Sequence, residues 1–498
     1  MRRTAPGGFF LIRLLTGLVG IGTPILLART MSVTDFATYA TITAASGLIM
    51  AVSSLGFDRA CLRLLPGYAG VASLSALARF IGLITVPRML ALALALMVVV
   101  LSGIWLPAAT EADHSALLLV LFSLTTGASQ LAASFTQGLL LHGAYAAIVL
   151  MSVITRFVIL VVLAYLGETL TYERVIEIFT VTEFLVLLAQ LAVIGWSALH
   201  WSGKDQRAVV VPSLREVLAI SNANYLSYLA GLPWMGSTLV LLVGNFCSHE
   251  ITAAFAFFQN LVERAKSFMP IRMLQSFVEP QWARLHQLDG RVRRFQVPTA
   301  ILQKTNALLL SLGLVWIVAA GDPLLRQLIR PIYADHLLLL SLILIQQAIG
   351  SIADLLWMGL NATNQIGKLT RAFVLVSVGA APMLILAVMF GGAVGLIIWS
   401  WMPPLILLVL LRRSGAHFAK LALKTRQTAL ILLIGGIAGI LGWSVQTLVG
   451  QGAPAVAGAL LLATVTWYAM LVFFKPFNRA ERYLLKQFIY VKKQLHKI

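Results

Sequence analysis

Apolar and polar positions along this chain alternate on a scale of about twenty residues. Long apolar runs recur from end to end, separated by short polar breaks. A helix needs roughly 20 apolar residues to cross the hydrocarbon core of a bilayer, and a spanning backbone must satisfy its hydrogen bonds internally. Segmentation predicts about fourteen spans, at 9–28, 36–57, 80–106, 115–141, 145–166, 175–199, 217–246, 251–278, 299–319, 336–360, 372–390, 393–411, 428–449 and 454–474. The span at 80–106 is interrupted by Pro87-Arg88, and a hairpin at Gly391-Gly392 separates two others. The pattern defines an all-α polytopic membrane protein. The expected organisation is an N-lobe at 1–200 (spans 1–6), a cytoplasmic linker at 201–216 and a C-lobe at 217–411 (spans 7–12). Spans 13 and 14 at 412–474 and a basic tail at 475–498 follow.

Composition agrees. Asp, Glu, Lys and Arg make up 11% of residues, against about 25% in a soluble domain, while 59% are hydrophobic and the mean hydropathy is +0.91. With this segmentation one face receives 27 of the 37 Lys and Arg residues, and the opposite loops receive only Arg29, Arg174, Arg326 and Arg330. The positive-inside rule places both termini in the cytoplasm. The net charge of +19 is divided among short loops, which points to anionic lipid headgroups as partners and away from nucleic acid. The tail at 477–498 interleaves Arg479, Arg482 and Lys486 with Tyr483, Leu484 and Phe488, a spacing that predicts an amphipathic helix on the inner leaflet. The apolar run at the N-terminus is too long for a signal peptide and lacks a small-residue cleavage site, so it is expected to remain as the first span. Cys61 and Cys247 fall near opposite faces and lack metal-ligand spacing.

Residues 27–40 and 243–256 read alike, about 216 positions apart: an outer-face turn with an acidic residue (Asp35, Glu250), then a small and aromatic helix start. Transporters are commonly built from such repeated halves, with the substrate site between them.

Ionisable residues at bilayer depth are costly and usually functional. The eighth span carries Glu263, Arg264 and Lys266 near its middle, with Arg272 and Glu279 seven residues apart on one face toward the cytoplasm. A local pair of Glu263 with Lys266 would leave Arg264 without a counter-charge on its own helix, so a water-filled cavity facing Arg264 is expected. Arg156 has no acid within four residues and must face a partner helix or the lumen. Arg13 and Arg88 lie nearer the cytoplasmic surface, where snorkelling and function are both open readings. Glu183, Asp354 and Glu263 are the ion-coupling candidates; Glu183 and Asp354 are equally suited to pair with embedded cations. Six embedded cations against four acids favour an anionic passenger, and phosphate matches Arg forks.

Catalytic signatures are thin. His200 and Asp205 stand at an acyltransferase-like spacing, but in a loop too short to hold such a domain. No His pair flanks an acid at metalloprotease spacing and no phosphate-binding glycine loop is present, so neither a cofactor nor nucleotide hydrolysis is expected.

The stretch Gly56-Phe57-Asp58-Arg59-Ala60-Cys61-Leu62-Arg63-Leu64-Leu65-Pro66 and the turn at 32–39, together with fourteen spans and cytoplasmic ends, resemble Wzx-type polysaccharide flippases. These form the polysaccharide transporter branch of the multidrug/oligosaccharidyl-lipid/polysaccharide (MOP) superfamily. The motif similarity covers about 40 residues. The resemblance implies a MOP/MATE-like fold, with two six-helix lobes around a central cavity plus two C-terminal helices. It implies a non-enzymatic flippase that moves undecaprenyl-diphosphate-linked oligosaccharide repeat units across the bacterial inner membrane by alternating access. The product would feed exopolysaccharide or O-antigen assembly, with the pathway's polymerase and chain-length or export proteins as partners. Arg264, Lys266, Arg156, Arg272 and Arg13 would attract the diphosphate or acidic sugars, and Arg59 and Arg63 would form a cytoplasmic access patch. Lipid II flippases share the topology, but they resemble one another in an Arg-Asp pair in the first span that 14–28 lacks. Multidrug exporters of the superfamily favour acidic cation sites. A membrane glycan polymerase or ligase would need a larger outer loop than 320–335.

Overall fold

The computed structural model describes residues 6–67, 74–102, 112–201, 211–266, 268–273, 278, 282, 295–363, 365–415, 418, 425–450 and 452–483. The described structure is helical, and eleven of its helices are long and apolar enough to cross a membrane. The count approaches fourteen when three further features are considered. The shorter helix Leu14–Thr30 is apolar. The 48-residue segment Ile366–Arg413 folds back at Gly392. His249–Lys266 has the length of a span but carries too much charge to qualify by composition. Large apolar side chains such as Val86, Leu90, Leu94, Met97 and Leu101 lie exposed along one helix. Such a stripe is tolerated when lipid covers it. The protein is a multi-pass membrane protein.

Two compact units divide the chain, Met1–Arg264 and Ala265–Ile498. The first comprises α1 (Pro6–Thr30), α2 (Val33–Ser53), α3 (Phe57–Leu64), α4 (Leu74–Ser102), α5 (Ala112–Gly138) and α6 (His142–Tyr165). It continues through α7 (Tyr172–Trp201), α8 (Leu214–Gly231), α9 (Gly236–Phe246) and α10 (His249–Lys266), whose last turn carries the unit boundary. Of the expected linker at 201–216, residues 202–210 lie outside the described residues, and α8 to α10 belong with the first unit.

Small residues set the close approaches, as is usual where lipid supplies no hydrophobic drive for helix association. A Cβ at Gly47 would lie 2.8 Å from Ser237 Oγ, and one at Gly244 would lie 3.1 Å from Thr41 Oγ1, so a small hydroxyl side chain of each helix, α2 and α9, rests on a glycine of the other. Gly22 of α1 likewise admits the Phe157 ring of α6. Phe57, Cys61, Phe80, Leu131, Phe135 and Ile194 join α3, α4, α5 and α7 in one apolar cluster.

Both turns of the expected repeat are serine-capped. Asp35 N donates to Ser32 Oγ at 2.9 Å, and Ile251 N donates to Ser248 Oγ at 3.4 Å, each satisfying an orphan N–H of the first helical turn. The span expected at 217–246 is two helices. Leu232–Trp234 forms a single 3-10 turn around Pro233, which lacks an N–H and stops α8. The Leu232 carbonyl accepts from Met235 N at 3.1 Å and from Thr238 Oγ1 at 2.6 Å.

The second unit holds α11 (Gln296–Leu328), α12 (Pro331–Ala334), α13 (Leu337–Ala362), α14 (Ile366–Ser400), α15 (Met402–Arg413), α16 (Thr425–Val449) and α17 (Ala453–Phe474). Gly435, Gly439 and Gly442 of α16 form a small-residue seam against Ser311, Val318 and Ala319 of α11. Trp467 Nε1 donates to Ser311 Oγ at 3.0 Å, and Trp316 Nε1 to Thr464 Oγ1 at 3.1 Å. The hairpin read from Gly391-Gly392 is present. Gly392 takes a left-handed φ of +58°, and Trp399 Nε1 donates to the Ala380 carbonyl nineteen residues back. Of the expected tail helix, residues 484–498 lie outside the described residues.

Candidate functional site

The site-bearing helix is α10, which has a double polar ridge. Residues four apart stand on one helix face, so Gln259 and Glu263 form one ridge and Asn260 and Arg264 the next. Arg264 lies along α1: a Cβ at Gly20 would be 3.5 Å from Arg264 Cδ. A Cβ would meet the stem at ordinary contact distance, whereas a side chain as large as leucine would compete for the space the stem uses.

Arg264 borders a cleft that is open to solvent. Its polar lining comprises Thr23 of α1, Tyr39 of α2, Arg156 of α6, and Asn260 and Arg264 of α10. No carboxylate is among the residues described as lining it. Arg156 is held in place from α7. Its Nε donates to Thr182 Oγ1 at 2.7 Å, its Nη2 pairs with Glu183 Oε1, and its guanidinium lies 5.1 Å from the Phe179 ring centroid. Phe179 in turn meets Tyr39 edge to face at 5.9 Å. One side of Arg156 is thus fixed by a carboxylate, a hydroxyl and a ring, while the side chain still borders the cleft. Such an arrangement fixes the orientation of the guanidinium fork.

The structure sorts the expected site residues. Arg156 and Arg264, from different helices, meet at one cleft. Lys266, two residues beyond Arg264, falls in the second unit. Glu263 lines the neighbouring pocket. Arg272 belongs to the second unit, where its Nη2 donates to Asp354 Oδ1 of α13 at 3.0 Å. Two of the three ion-coupling candidates, Glu183 and Asp354, are therefore ion-pair partners of embedded cations. Arg63 is exposed on α3, whereas the side chains of Arg13 and Arg59 and all of Glu279 lie outside the described residues.

Arg88 does not snorkel. It is buried, and its guanidinium closes the C-terminus of α2 by donating to Ser53 Oγ at 2.9 Å and to the Met50 carbonyl at 3.1 Å. A cation suits a helix C-terminus, where carbonyls lack intrahelical partners. Tyr225 Oη donates to the Val52 carbonyl beside it. Sequence reasoning missed Thr23, Tyr39 and Asn260, none of which carries a charge. Asn260 was within reach of the argument, since it stands one turn before Arg264 on the same face.

No family model matches the chain, and no curated protein matches it. Among solved structures the chain is similar to the lipid II flippase MurJ in an inward closed conformation. The TM-score is 0.63 at 12% sequence identity, covering 94% of this chain and 98% of that one. An alignment with the eukaryotic MATE transporter AtDTX14 gives a TM-score of 0.39 at 13% identity, over 81% of this chain and 91% of that one. The protein is thus an all-helical, multi-pass membrane protein with the fold of the MurJ flippase. The expected all-α fold is the one found.

Proposed function

We propose that the chain is a flippase for a polyprenyl-diphosphate-linked oligosaccharide repeat unit. The observation that carries this reading is the convergence of Arg156 and Arg264 on one cleft whose described lining contains no carboxylate. Two guanidinium forks at one cleft, Arg156 oriented by Glu183, suit the oxygens of a diphosphate. The passenger is an undecaprenyl diphosphate lipid of a bacterial plasma membrane, delivered outward for exopolysaccharide or O-antigen assembly. The headgroup enters from the cytoplasmic side, is held by the two arginines and leaves outward by alternating access, while the tail stays in lipid. An anion leaving an inside-negative cell moves downhill by about 2.3 kcal/mol per charge per 100 mV. With Glu183 and Asp354 engaged in ion pairs, the membrane potential is the simpler driving force.

The test is flipping in proteoliposomes of a labelled polyprenyl-diphosphate oligosaccharide, followed by its exposure to a membrane-impermeant reagent. The wild-type protein should flip the lipid, and Arg264→Glu should abolish flipping. Charge reversal that leaves the rate unchanged would overturn the assignment. A second reading, lipid II as passenger, is supported by the fold likeness to the lipid II flippase. Rescue of cells depleted of their own lipid II flippase would favour it; accumulation of unflipped repeat units in a deletion strain would favour the first.

A further inference from the structure

Beside the cleft of Arg156 and Arg264 lies an open pocket of different chemistry, with a cavity volume of about 330 Å³. Its polar lining comprises Thr43 of α2, Ser237 of α9, and Gln259, Asn260 and Glu263 of α10. Met235 and short aliphatic side chains of α2 and α9 supply the rest, and no cation is among the residues described as lining it. The backbone break between α8 and α9 opens onto it, since Met235, Gly236 and Ser237 directly follow the 3-10 turn. At membrane depth, irregular backbone is tolerated where it is buried in protein or lines a wet cavity, and transporters place binding sites at such interruptions.

Asn260 lines both this pocket and the cleft of Arg156 and Arg264. A ligand with a diphosphate on the arginines would therefore direct its next group into the pocket. The lining is suited to a hydroxyl-rich ring. Carboxamides donate and accept, the Glu263 carboxylate accepts from hydroxyls, and Ser and Thr do both. The apolar residues offer a surface for the C–H face of a sugar. A dehydrated metal cation would need six or more oxygens at 2.3–2.6 Å for calcium, or an octahedral shell for magnesium. A roomy pocket with a single carboxylate does not offer that. A second carboxylate on the ligand would meet Glu263 as a like charge.

We infer that this pocket is the subsite for the sugar attached to the diphosphate, accepting a neutral or N-acetylated hexose and rejecting a uronic acid at that position. The inference rests on the reading that Arg156 and Arg264 hold the diphosphate. It is tested with the full chain in lipid nanodiscs and three probes: bare polyprenyl diphosphate, the same lipid bearing N-acetylglucosamine, and the same lipid bearing glucuronic acid. The N-acetylglucosamine lipid should bind at least about tenfold tighter than the bare lipid, a difference of about 1.4 kcal/mol. The glucuronic acid lipid should bind no tighter than the bare one. In Glu263→Gln the ratio between the two sugar lipids should approach one, and in Gln259→Ala the advantage of N-acetylglucosamine over bare lipid should shrink.

The wild-type comparison decides the matter without any variant. Equal binding of all three lipids, or equal binding of the two sugar lipids, overturns the sugar subsite. The diphosphate reading survives either result if bare-lipid binding still requires Arg264. If the bare lipid does not bind at all, the diphosphate reading falls and the subsite falls with it. A Glu263-dependent requirement for sodium without sugar discrimination would assign the pocket to a cation instead and overturn the proposal.

Discussion

Lys304 of α11 and Glu481 of the C-terminal segment form an ion pair almost sealed from solvent, with Nζ 2.6 Å from Oε2 and side-chain exposures of 0% and 1%. Both charges are further satisfied. Lys304 Nζ donates to the Pro476 carbonyl at 2.7 Å and stands 5.6 Å from the Phe477 ring centroid. Glu481 accepts from Asn478 N at 2.8 Å and Asn478 Nδ2 at 3.1 Å, while its own N–H donates to Asn478 Oδ1 at 2.9 Å. The last of these closes a reciprocal cap at the start of the terminal helix. Removing one partner of a buried pair strands the other charge and costs about 3–5 kcal/mol. Lys304→Ala and Glu481→Ala should each lower thermal stability in detergent by that order and expose residues 475–483 to protease. The double change Lys304→Met with Glu481→Leu should recover most of the loss, because well-packed apolar replacements of such pairs are often neutral. Single changes costing under about 1 kcal/mol would match an exposed pair and contradict this geometry.

The Arg156–Glu183 pair makes a separate prediction. Both residues are mostly buried, at 16% and 18% exposure, so Glu183→Ala should destabilise the protein, toward the lower end of the same 3–5 kcal/mol range. If Glu183 serves chiefly to hold Arg156, the double variant Arg156→Glu with Glu183→Arg should restore much of the stability without restoring flipping. The exchange moves the guanidinium away from its position on α6. A double variant with wild-type transport would show that the position of the cation is immaterial.

At Arg264 the expected losses are functional. A hydrogen bond to a charged group contributes about 1.5–3 kcal/mol, so Arg264→Ala should weaken bare polyprenyl-diphosphate binding by roughly 10- to 100-fold. Gly20→Leu tests the same geometry from α1, since its side chain would occupy the space beside Arg264 Cδ. It should reduce binding to a similar extent while leaving Arg264 in the chain. Full affinity in Gly20→Leu would mean that Arg264 does not use this path into the cleft.

Much of this architecture is written in the sequence, because bilayer thickness imposes a length on every apolar run. The spans, the fold-back at Gly392 and the placement of Arg156 and Arg264 inside apolar segments are legible for that reason. Pairings between helices are not. Glu183 lies 27 positions from Arg156 and Glu481 lies 177 from Lys304, separations over which no helical periodicity constrains geometry. Lys304 reads as one more cytoplasmic-side cation until the segment after α17 folds over it. The break at Pro233 was within reach, since a proline at mid-span removes a helical hydrogen bond. Its consequence, a pocket between α9 and α10, depends on how α2 packs against them.

The segment that carried the family resemblance begins at Gly56, where backbone and packing both require glycine. Its φ is +72°, next to Leu55 at +48°, and a Cβ would stand 2.8 Å from the Ser221 carbonyl and 3.1 Å from Tyr225 Cβ of α8. A left-handed non-glycine residue costs about 1–2 kcal/mol, and the close carbonyl adds to that. Gly56→Ala should therefore lower stability by at least this amount and loosen α8, measurable as faster amide exchange at 214–231. A thermally neutral Gly56→Ala would place this junction in another conformation.

Cys61, within the same segment, supplies a test that needs no ligand. Its side chain is fully buried, and burial, reinforced by the nearby Asp58 carboxylate, pushes the thiol well above its usual range. The ordinary cysteine pKa is about 8.5, and the thiolate is the reactive species. In the folded protein Cys61 should therefore resist maleimide at pH 8, while the partly exposed Cys247 reacts. Native protein should take up one equivalent, and denatured protein two. The sign of the pH dependence follows. With the folded value raised, Cys61 contributes most to stability below the unfolded value of about 8.5, and that contribution declines as pH rises above it. Cys61→Ala should flatten the alkaline decline, at the expense of a small cavity against Phe57 and Leu65. Two equivalents of maleimide on native protein would show that α4, α5 and α7 do not cover Cys61 of α3, and would contradict the packing of the 56–66 segment.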